Sequence, residues 1–508
     1  MIFRLECTLI TSKPVKADDV ERLKRLVEPL LQKGAPKAKT EGEQDQVKLD
    51  LFSIRDEGID VGISSTRFVR PHSAILRVKK LLSRELGRQK TGIRGIDIKS
   101  YTAEMDLERE VLAAFEVPFA DLKFEGLRCY VSFKGMDERA FEEGYPDRVI
   151  NLIRKKVKSQ YYEGKAEYWN LLWRSPKKDI AWEKDPSEEM IKLNWIKQGP
   201  SKGRWFFFPP MASIMRAMED LVIGEVLLPL GFKEVVAPHL IPFDIWVKTG
   251  HMEGVPGEIY YVSEPSTRNP DEWSHFSDLV NVTRETPDFG DMVTKPVGGI
   301  TYAQCPVIYW SLEGRTLDPK QLPIKVFERK AVSCRYESGG RHGIERADEF
   351  HRIEPVFIGT QEQMLSLRME LIERLHHVLE KVLHLDWRMA WVTPFYMQQA
   401  GEVMEEEERE EAIPEEITKI DLREREKGTI DFEAWMPYKK GWLEFQNLSI
   451  FDKYTKAFNI KAPKDDLWSG CAGIGLERWC ASFLAQKGLD PGKWDFPIKG
   501  VGESIRFL

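Results

Sequence analysis

The sequence predicts an α+β protein that is built from two main parts. In the first part, apolar residues alternate with polar ones on both sides of a turn at residues 55–58, which is typical of a β-hairpin with one buried face. From Trp205 onward, stretches typical of helices alternate with stretches typical of strands. The alternating residues of the hairpin are Val47, Leu49 and Leu51, followed by Ile59, Val61 and Ile63.

Length and composition exclude several classes of protein. The chain has 508 residues, 42% of them hydrophobic and 31% charged, which is typical of globular domains and excludes a collagenous or wholly disordered chain. No stretch approaches the ~20 consecutive apolar residues of a membrane-spanning helix, so we expect no membrane partner. Glu6 interrupts the first apolar run, which favours a strand over a signal peptide. Six scattered cysteines favour a reducing, cytoplasmic location over a disulfide framework.

The first part of the chain has the features of a self-contained α+β domain. The pattern predicts a helix over His72–Leu86, strands over Gly92–Tyr101 and Leu127–Phe133, and a helix that Asp147 caps. Residues 166–205 are rich in Trp, Pro and charge, and we interpret them as a linker that packs on another part of the protein. We therefore expect an N-terminal domain at 1–165, a linker at 166–205 and a second domain at 206–508.

Charge is distributed unevenly along the chain. The net charge is −7, but residues 67–100 contain ten basic and two acidic side chains. In the predicted helix most of these basic residues fall on one side, opposite Val78, Leu82 and Leu86. A solvated helix face usually mixes both signs, so this face favours a phosphate backbone, and the lack of interleaved aromatic residues favours a double-stranded one. The stripe comprises Arg77, Lys80, Arg84 and Arg88, extended by Lys79, Lys90 and Arg94.

A second biased segment, Glu402–Lys427, has twelve acidic and five basic residues. A solvated surface segment is the simplest interpretation. A functional lid is the alternative, because the segment directly follows WVTPFYMQQAG at residues 391–401.

Four segments in the second part suggest chemistry. Residues 221–240 predict a long helix that leads into a strand with Pro238, which belongs at a sheet edge. Residues 334–354 supply four arginine forks suited to phosphate oxygens, around a turn at 338–340, together with Phe350. Residues 441–450 predict a strand with polar side chains on both faces, and residues 467–479 a Gly-rich turn that enters a helix. The arginines are Arg335, Arg341, Arg346 and Arg352. With Glu444 and Asn447 they favour handling of ATP and Mg²⁺, although structural salt bridges would give the same pattern.

These segments resemble motifs 1, 2 and 3 of class II aminoacyl-tRNA synthetases. More narrowly, the chain resembles the atypical zinc-dependent seryl-tRNA synthetases of methanogenic archaea over nearly its whole length. The strings that carry this resemblance are AEYWNLLW, GEIYYV, YAQCP, RYESGG, HGIERADEFHRIE, WLEFQN and LWSGC. The resemblance implies a catalytic domain built on an antiparallel sheet flanked by helices, and a separate N-terminal tRNA-binding domain.

The resemblance also implies residue roles at the nucleotide site. Arg335 would hold the α-phosphate and the carboxylate of the activated amino acid, and Arg478 the far phosphates of a bent ATP. Phe350 would stack on adenine, with Glu337 and Arg346 at the adenine or the phosphates. Glu444 and Asn447 would lie near the Mg²⁺ that accompanies ATP.

A zinc site follows from the resemblance and not from spacing. The family's ligands map to Cys305, Glu354 and Cys471, with one zinc per subunit whose open position takes the amino group of serine. Without Cys-x-x-Cys spacing, the cysteines alone would suggest small buried residues. Cys334 and Cys480 are interpreted as structural.

The serine pocket would use Asn447 and Ser449, with Phe395 and Gln399 in a loop that orders over the amino acid. The sequence departs from the family pattern there, with Phe395 where Trp is expected and Gln-Gln-Ala-Gly where Ala-Gln-Glu-Gly is expected.

The expected partners are tRNA(Ser), ATP, serine and a second copy of the chain. The basic stripe would bind the long variable arm of the tRNA through Arg77, Lys79, Lys80, Arg84 and Arg94. Three alternatives stay open: an amino acid:carrier-protein ligase of the same fold, a non-catalytic tRNA-binding paralogue, and a synthetase for threonine or another small amino acid. The basic N-terminal domain disfavours the first, and the full set of arginines and metal ligands disfavours the second.

Overall fold

The chain forms two compact units, Met1–Ala166 and Glu167–Leu508, in a computed structural model. Each unit has its own hydrophobic core. The residues described are 1–16, 19–31, 47–55, 58–66, 69–160, 169–180, 182–337, 340–392, 416–420, 422 and 425–502.

The first unit contains an antiparallel sheet of six described strands in the order β2-β3-β1-β4-β6-β5. The strands are β1 (Ile2–Thr11), β2 (Val47–Arg55), β3 (Gly58–Thr66), β4 (Ile93–Asp106), β5 (Ala120–Glu125) and β6 (Arg128–Phe133). The helices are α1 (Val20–Leu31), α2 (Pro71–Gly87), α3 (Glu138–Glu142) and α4 (Tyr145–Ser159). The predicted hairpin is β2–β3, paired from Val47 with Ser65 to Arg55 with Gly58.

Helix α2 packs on the sheet through the apolar face that its sequence predicts. Val78, Leu82 and Leu86 are each 0% exposed. At the start of α2, the His72 ring contacts the Tyr101 hydroxyl at 2.9 Å through Nδ1 and the Asp147 carboxylate at 3.4 Å through Nε2. Arg70 Nε donates to Asp147 Oδ1 at 2.5 Å. Asp147 lies in the first turn of α4 and does not cap it, in contrast to the prediction. The contacts of His72 with Tyr101 and Asp147 tie α2 to β4 and α4.

The second unit is built on eight described strands in the order β10-β14-β15-β19-β18-β17-β16-β7, antiparallel except for β10 with β14. Its strands are β7 (Trp169–Arg174), β10 (Lys233–Val235), β14 (Ile324–Cys334), β15 (Glu349–Thr360), β16 (Trp387–Val392), β17 (Gly428–Met436), β18 (Gly441–Phe451) and β19 (Leu467–Gly475). Smaller sheets contain β8 (Ile196–Gln198) with β9 (Trp205–Phe207), and β11 (Leu240–Pro242) with β12 (Tyr261–Val262) and β13 (Gly298–Ile300).

Helices cover both faces of the large sheet. One face packs on α6, α11 and α13 in the main core, and the other carries α7, α10 and α12 around a second apolar cluster. The helices are α5 (Pro186–Lys192), α6 (Met211–Val222), α7 (Phe243–Thr249), α8 (His251–Gly254), α9 (Pro270–Thr283), α10 (Cys305–Trp310), α11 (Gln361–His376), α12 (Lys453–Ala457) and α13 (Leu476–Lys487). Helices α6 and α11 continue as π-helical turns at Ile223–Leu227 and His377–Val382.

Two sequence-based expectations differ from the structure. Residues 166–205 are not a simple linker, since they supply the edge strand β7 and helix α5, and Trp173 is 2% exposed against Trp387. Burial of large apolar side chains outweighs the Pro-rich, charged composition that suggested a linker. Pro238 lies between β10 and β11 and not inside a strand, because it has no N–H to donate to a ladder.

Candidate active site

A polar cleft opens on the face of the large sheet formed by β15, β18 and β19. Side chains two residues apart on a strand share a face, so β15 presents Phe350, Arg352 and Glu354 together. The lining contains six of the seven predicted nucleotide-binding residues, Arg346 being the exception. Its members are Arg335, Glu337, Ile344, Glu345, Ala347, Phe350, Arg352, Glu444, Phe445, Asn447, Gly473, Gly475, Glu477 and Arg478.

Arg335 follows β14 and is held by aromatic rings. Its guanidinium lies 5.4 Å from the centre of the Tyr302 ring and 5.3 Å from that of Phe350, and Nη1 donates to Tyr302 Oη at 3.3 Å. Burial alone would lower the pKa of Arg335, but Tyr302, Glu444 and Glu337 outweigh it and raise the pKa. Arg335 is therefore a permanent positive charge of fixed orientation.

Asp348 anchors the turn that follows β14. It is fully buried and accepts hydrogen bonds from Arg341 Nε at 2.9 Å, Tyr260 Oη at 2.5 Å and the Glu337 amide at 3.1 Å. The fork of Arg341 is therefore used by Asp348, in contrast to its predicted suitability for phosphate. Sequence reasoning also missed Asp348 and Tyr260, because an acid and a tyrosine so far apart in the chain carry no spacing signal.

Arg478 links three segments at the other end of the cleft. Its Nη1 donates to the Glu444 carbonyl at 2.8 Å and to Glu444 Oε2 at 3.1 Å, and its Nε donates to the Glu345 carbonyl at 2.9 Å. Tyr438 Oη donates to Glu345 Oε1 at 2.6 Å, which ties the turn before β18 to the same point. Arg478 and Glu444 thus form an ion pair at the edge of the cleft.

The predicted serine-binding residues on β18 differ in accessibility. Asn447 lines the cleft, and its Oδ1 accepts from the Gly473 amide at 3.2 Å. Ser449 is 2% exposed and its hydroxyl bonds to that of Thr429 at 2.7 Å, so only Asn447 presents a side chain to the cleft. Phe395 and Gln399 lie outside the described residues.

Three side chains beside the cleft form a candidate metal centre. The ligand atoms of Cys305, Glu354 and Cys471 all lie within 4.8 Å of one another, and all three residues are buried. Cys305 begins α10, Glu354 lies in β15, and Cys471 lies in β19, the strand paired with β15. Sulfur and carboxylate ligands at this separation are typical of a zinc site with a fourth position for water or substrate.

The electrostatics of this triad favour a cation. The hydrogen bond with Cys471, burial, and the charges of Cys471 and Glu354 raise the pKa of Cys305 well above its ordinary value. Burial raises the pKa of Glu354, against the opposite effect of Arg352. Both oxygens of Glu354 are buried, and Arg352 forms an ion pair with the carboxylate. Cys305 and Glu354, whose pKa values are raised, would ionise more readily beside a divalent ion.

Arg352 connects the triad with the cleft. Its side chain pairs with Glu354 on one side and lines the cleft on the other. A Cβ on Gly473 would lie 2.5 Å from Arg352 Nη2, so the glycine provides the space that this guanidinium occupies. The sequence pattern had singled out Arg352 only as one of four possible phosphate ligands.

His251 is a buried histidine near the cleft that sequence reasoning missed. Its ring packs on Trp246 and Tyr302, and Nδ1 lies 2.8 Å from Thr249 Oγ1. Burial and the charges of Lys453 and Arg352 lower the pKa of His251 to about 3. His251 therefore stays neutral at physiological pH, and it supports Tyr302, the partner of Arg335.

The basic stripe of the first unit is only partly available to a ligand. Lys80, Arg84 and Arg94 are exposed, with Arg84 71% exposed. Lys79 lies on the edge of the buried face and forms an ion pair with Glu138, and Arg77 is half-buried. Position on the helix explains the burial of Lys79, because Lys79 falls next to Leu86 on a helical wheel and not beside Arg84.

Comparisons with known proteins agree with this geometry. A family described as a tRNA-binding domain matches residues 1–155. The type-2 serine–tRNA ligase of Methanococcoides burtonii is 42% identical, with 94% of this chain and 93% of the relative covered. The type-2 serine–tRNA ligase of Methanothrix thermoacetophila is 41% identical over the full length of both chains.

A solved structure shows the same fold. The M. kandleri SerRS, in complex with A. aeolicus tRNA(Sec), superimposes with a TM-score of 0.75 at 28% identity and covers 97% of this chain and 94% of that chain. An antiparallel sheet that carries arginines and acids around an open cleft, joined to a tRNA-binding domain, defines a class II aminoacyl-tRNA synthetase. The predicted α+β class is thereby confirmed. Within that class, the chain belongs to the type-2 serine–tRNA ligase family.

Proposed function

We propose that this protein activates serine with ATP to form seryl-adenylate and pyrophosphate, and then transfers the seryl group to the 3′ end of tRNA(Ser). Membership of the type-2 serine–tRNA ligase family supports the reaction. The observation that carries the substrate assignment is the Cys305–Glu354–Cys471 triad, which meets the nucleotide cleft through Arg352. An amino acid held at the triad would direct its carboxylate toward the cleft.

Arg335 is proposed to bind the α-phosphate together with the serine carboxylate. Its fork is fixed by Tyr302, so it can stabilise the charge that develops at phosphorus without reorganising. Phe350 is the proposed stacking surface for adenine, since its ring lines the same cleft. Glu337 is held there through its amide by Asp348, and Arg346 lies two residues before Asp348.

Arg478 and Glu444 are proposed to hold the far phosphates and the Mg²⁺ that accompanies ATP. The two side chains face each other at 3.1 Å, which balances their charges until the nucleotide binds. Binding of the triphosphate would separate them, with phosphate on Arg478 and the metal near Glu444 and Asn447. Catalysis in this arrangement depends on positioning and charge, so no dedicated general base is needed.

The triad is proposed to hold one zinc ion per subunit. Two thiols and a carboxylate, all buried and with their ligand atoms within 4.8 Å of one another, match the ligand preference of zinc. When bound, zinc would supply a Lewis-acid position for the amino group of serine. When the amine is anchored in this way, the pocket can recognise a small side chain. Apolar contacts alone would distinguish two side chains by only about 1–3 kcal/mol per methylene.

The side chain of serine is proposed to contact the β18 face, at Asn447 and near Ser449. Phe395 and Gln399, which lie outside the described residues, are also proposed to contact the amino acid. Loss of a buried hydrogen bond discriminates strongly against analogues that lack the hydroxyl, because the pocket groups are left unpaired.

The exposed basic residues of the first unit are proposed to bind the double-helical variable arm of tRNA(Ser). Lys80, Arg84 and Arg94 present their charges to solvent, and the tRNA-binding family matches this part of the chain. Lys79 and Arg77 are each partly buried, so we expect them to contribute more to the packing of α2 than to phosphate contacts.

A homodimer and a cytoplasmic location complete the proposal. Leu228, Val236 and Leu240 are 57%, 89% and 38% exposed around β10, and apolar exposure of this kind is typical of a subunit interface. All six cysteines are free, as in a reducing compartment. No helix in the described residues has the length and apolar character to cross a membrane.

Serine-dependent exchange of pyrophosphate into ATP tests the proposal. The zinc-loaded protein should show exchange with serine, and charging of tRNA(Ser) should follow. Exchange with threonine alone would favour the small-amino-acid alternative, charging of a carrier protein would favour the carrier ligase, and tRNA binding without exchange would favour the non-catalytic paralogue.

A further inference from the structure

A buried tyrosine joins the two elements that carry the thiols of the triad. Tyr309 lies four residues after Cys305 in α10, so both side chains lie on the same face of the helix. Tyr309 is 0% exposed and Cys305 5% exposed. The helix is too short to be fixed by its own hydrogen bonds, so side-chain contacts must determine where Cys305 stands.

The hydroxyl of Tyr309 reaches the strand of the other cysteine. Tyr309 Oη donates to the Gly470 carbonyl at 2.8 Å. This carbonyl belongs to the peptide that leads directly into Cys471, so the bond fixes the backbone from which the Cys471 thiol projects. Gly470 packs closely against β15, because a Cβ there would lie 2.1 Å from the Phe357 ring.

Packing keeps this bond in place, because the Tyr309 side chain is fully buried. The Tyr454 ring packs on the Tyr309 ring with centroids 5.0 Å apart and prevents the side chain from rotating away.

We propose that Tyr309 is a positioning residue for the metal centre: its hydroxyl locks α10 to β19 and thereby presets the separation of Cys305 and Cys471. This inference rests on the proposed zinc site. Groups that orient metal ligands in this way typically change metal affinity by about 10–100-fold when they are removed. Neither Tyr309 nor Gly470 is among the described residues that line the nucleotide cleft, so ATP binding should not respond to loss of this bond.

The variant Tyr309→Phe removes one oxygen atom and keeps the ring. The dissociation constant of zinc, measured by competition with a chromophoric chelator, should rise at least tenfold, and KM for serine should rise while KM for ATP stays unchanged. Tyr454→Phe is the matched control, because it removes a hydroxyl from the neighbouring buried ring. It should leave zinc affinity within twofold of the unmodified protein.

A second measurement separates positioning from general stability. The midpoint of thermal unfolding is compared with and without saturating zinc, and the increase caused by zinc should be smaller in Tyr309→Phe than in Tyr454→Phe. Equal zinc affinity in Tyr309→Phe and the unmodified protein would overturn the inference, as would equal weakening in both variants. If the unmodified protein bound no zinc, the zinc proposal itself would fail, and the two failures are thus distinguishable.

Discussion

Cys305 and Cys471 lie in a short helix and a central strand, yet their sulfur atoms approach within 4.8 Å beside the Glu354 carboxylate. The sheet produces this contact, because β15 and β19 are neighbours and α10 packs over them. The pairing register puts Val356 opposite Cys471, and Glu354 precedes Val356 by two residues on the same face of β15. The three ligands are therefore placed by strand pairing and by one helix contact.

The first prediction concerns the metal. Cys471→Ala should abolish stoichiometric zinc binding and serine-dependent exchange together, because two remaining ligands hold zinc poorly. Zinc content by elemental analysis and exchange rate are the two measurements. Cys480→Ala is the control, since this cysteine is also buried but lies in α13 away from the triad. Full exchange activity in Cys471→Ala would remove Cys471 from the ligand set.

The second prediction concerns the nucleotide. Arg478→Ala should reduce kcat/KM for ATP in the exchange reaction by about 10²–10³-fold, the typical effect of losing one charged stabiliser of a transition state. Zinc content should stay at the level of the unmodified protein. Lys493→Ala, on an exposed turn, should have no effect on either quantity. A loss of zinc in Arg478→Ala would show that the cleft and the triad do not act separately.

The third prediction concerns tRNA. The double variant Lys80→Glu with Arg84→Glu should raise KM for tRNA at least tenfold and flatten its dependence on salt, because fewer counterions are released on binding. Pyrophosphate exchange should not change. Lys123→Glu with Lys134→Glu is a control of equal charge on exposed residues of the same unit. Similar losses in charging and exchange would argue against separate roles for the two units.

The fourth prediction concerns the stability of the first unit. Burial alone would raise the pKa of Asp147, but hydrogen bonds from His72 and Arg70 and the charge of Arg70 outweigh it and lower the pKa. The ionised carboxylate therefore stabilises the fold above about pH 4, and this contribution is lost as pH falls through the lowered pKa. Asp147→Asn should destabilise the unit by about 1–2 kcal/mol at pH 7, since the carboxylate is partly exposed.

Hydrogen exchange of peptides from residues 69–106 in the full-length protein measures this change. The difference between Asp147→Asn and the unmodified protein should shrink below about pH 4, where Asp147 begins to bind a proton. A difference that stayed constant down to pH 2 would show that ionisation of Asp147 contributes nothing.

Local patterns predicted much of the fold. Alternation gave the β2–β3 hairpin, and helical periodicity gave the buried face of α2 with Val78, Leu82 and Leu86. The pattern failed where long-range packing outweighed composition, as in β7, where Trp173 is buried against Trp387. Lys79 is a second case in which the pattern failed, because the spacing of charges along the chain cannot show that Glu138 lies close enough to Lys79 to form an ion pair.

The site was predictable only in part. Arginine clustering at residues 335–352 indicated the nucleotide cleft, since consecutive turns and strands keep such residues close. The triad gave no spacing signal and was assigned through the family resemblance. Tyr309, Asp348 and Tyr260 were missed because each acts through a hydrogen bond to a distant segment.

The most direct test of the substrate assignment is pyrophosphate exchange measured with each of the twenty amino acids, on protein whose zinc content is determined in the same preparation. Exchange is expected with serine alone and in proportion to the zinc content. Robust serine exchange in zinc-free protein, or equal exchange with another amino acid, would contradict this expectation.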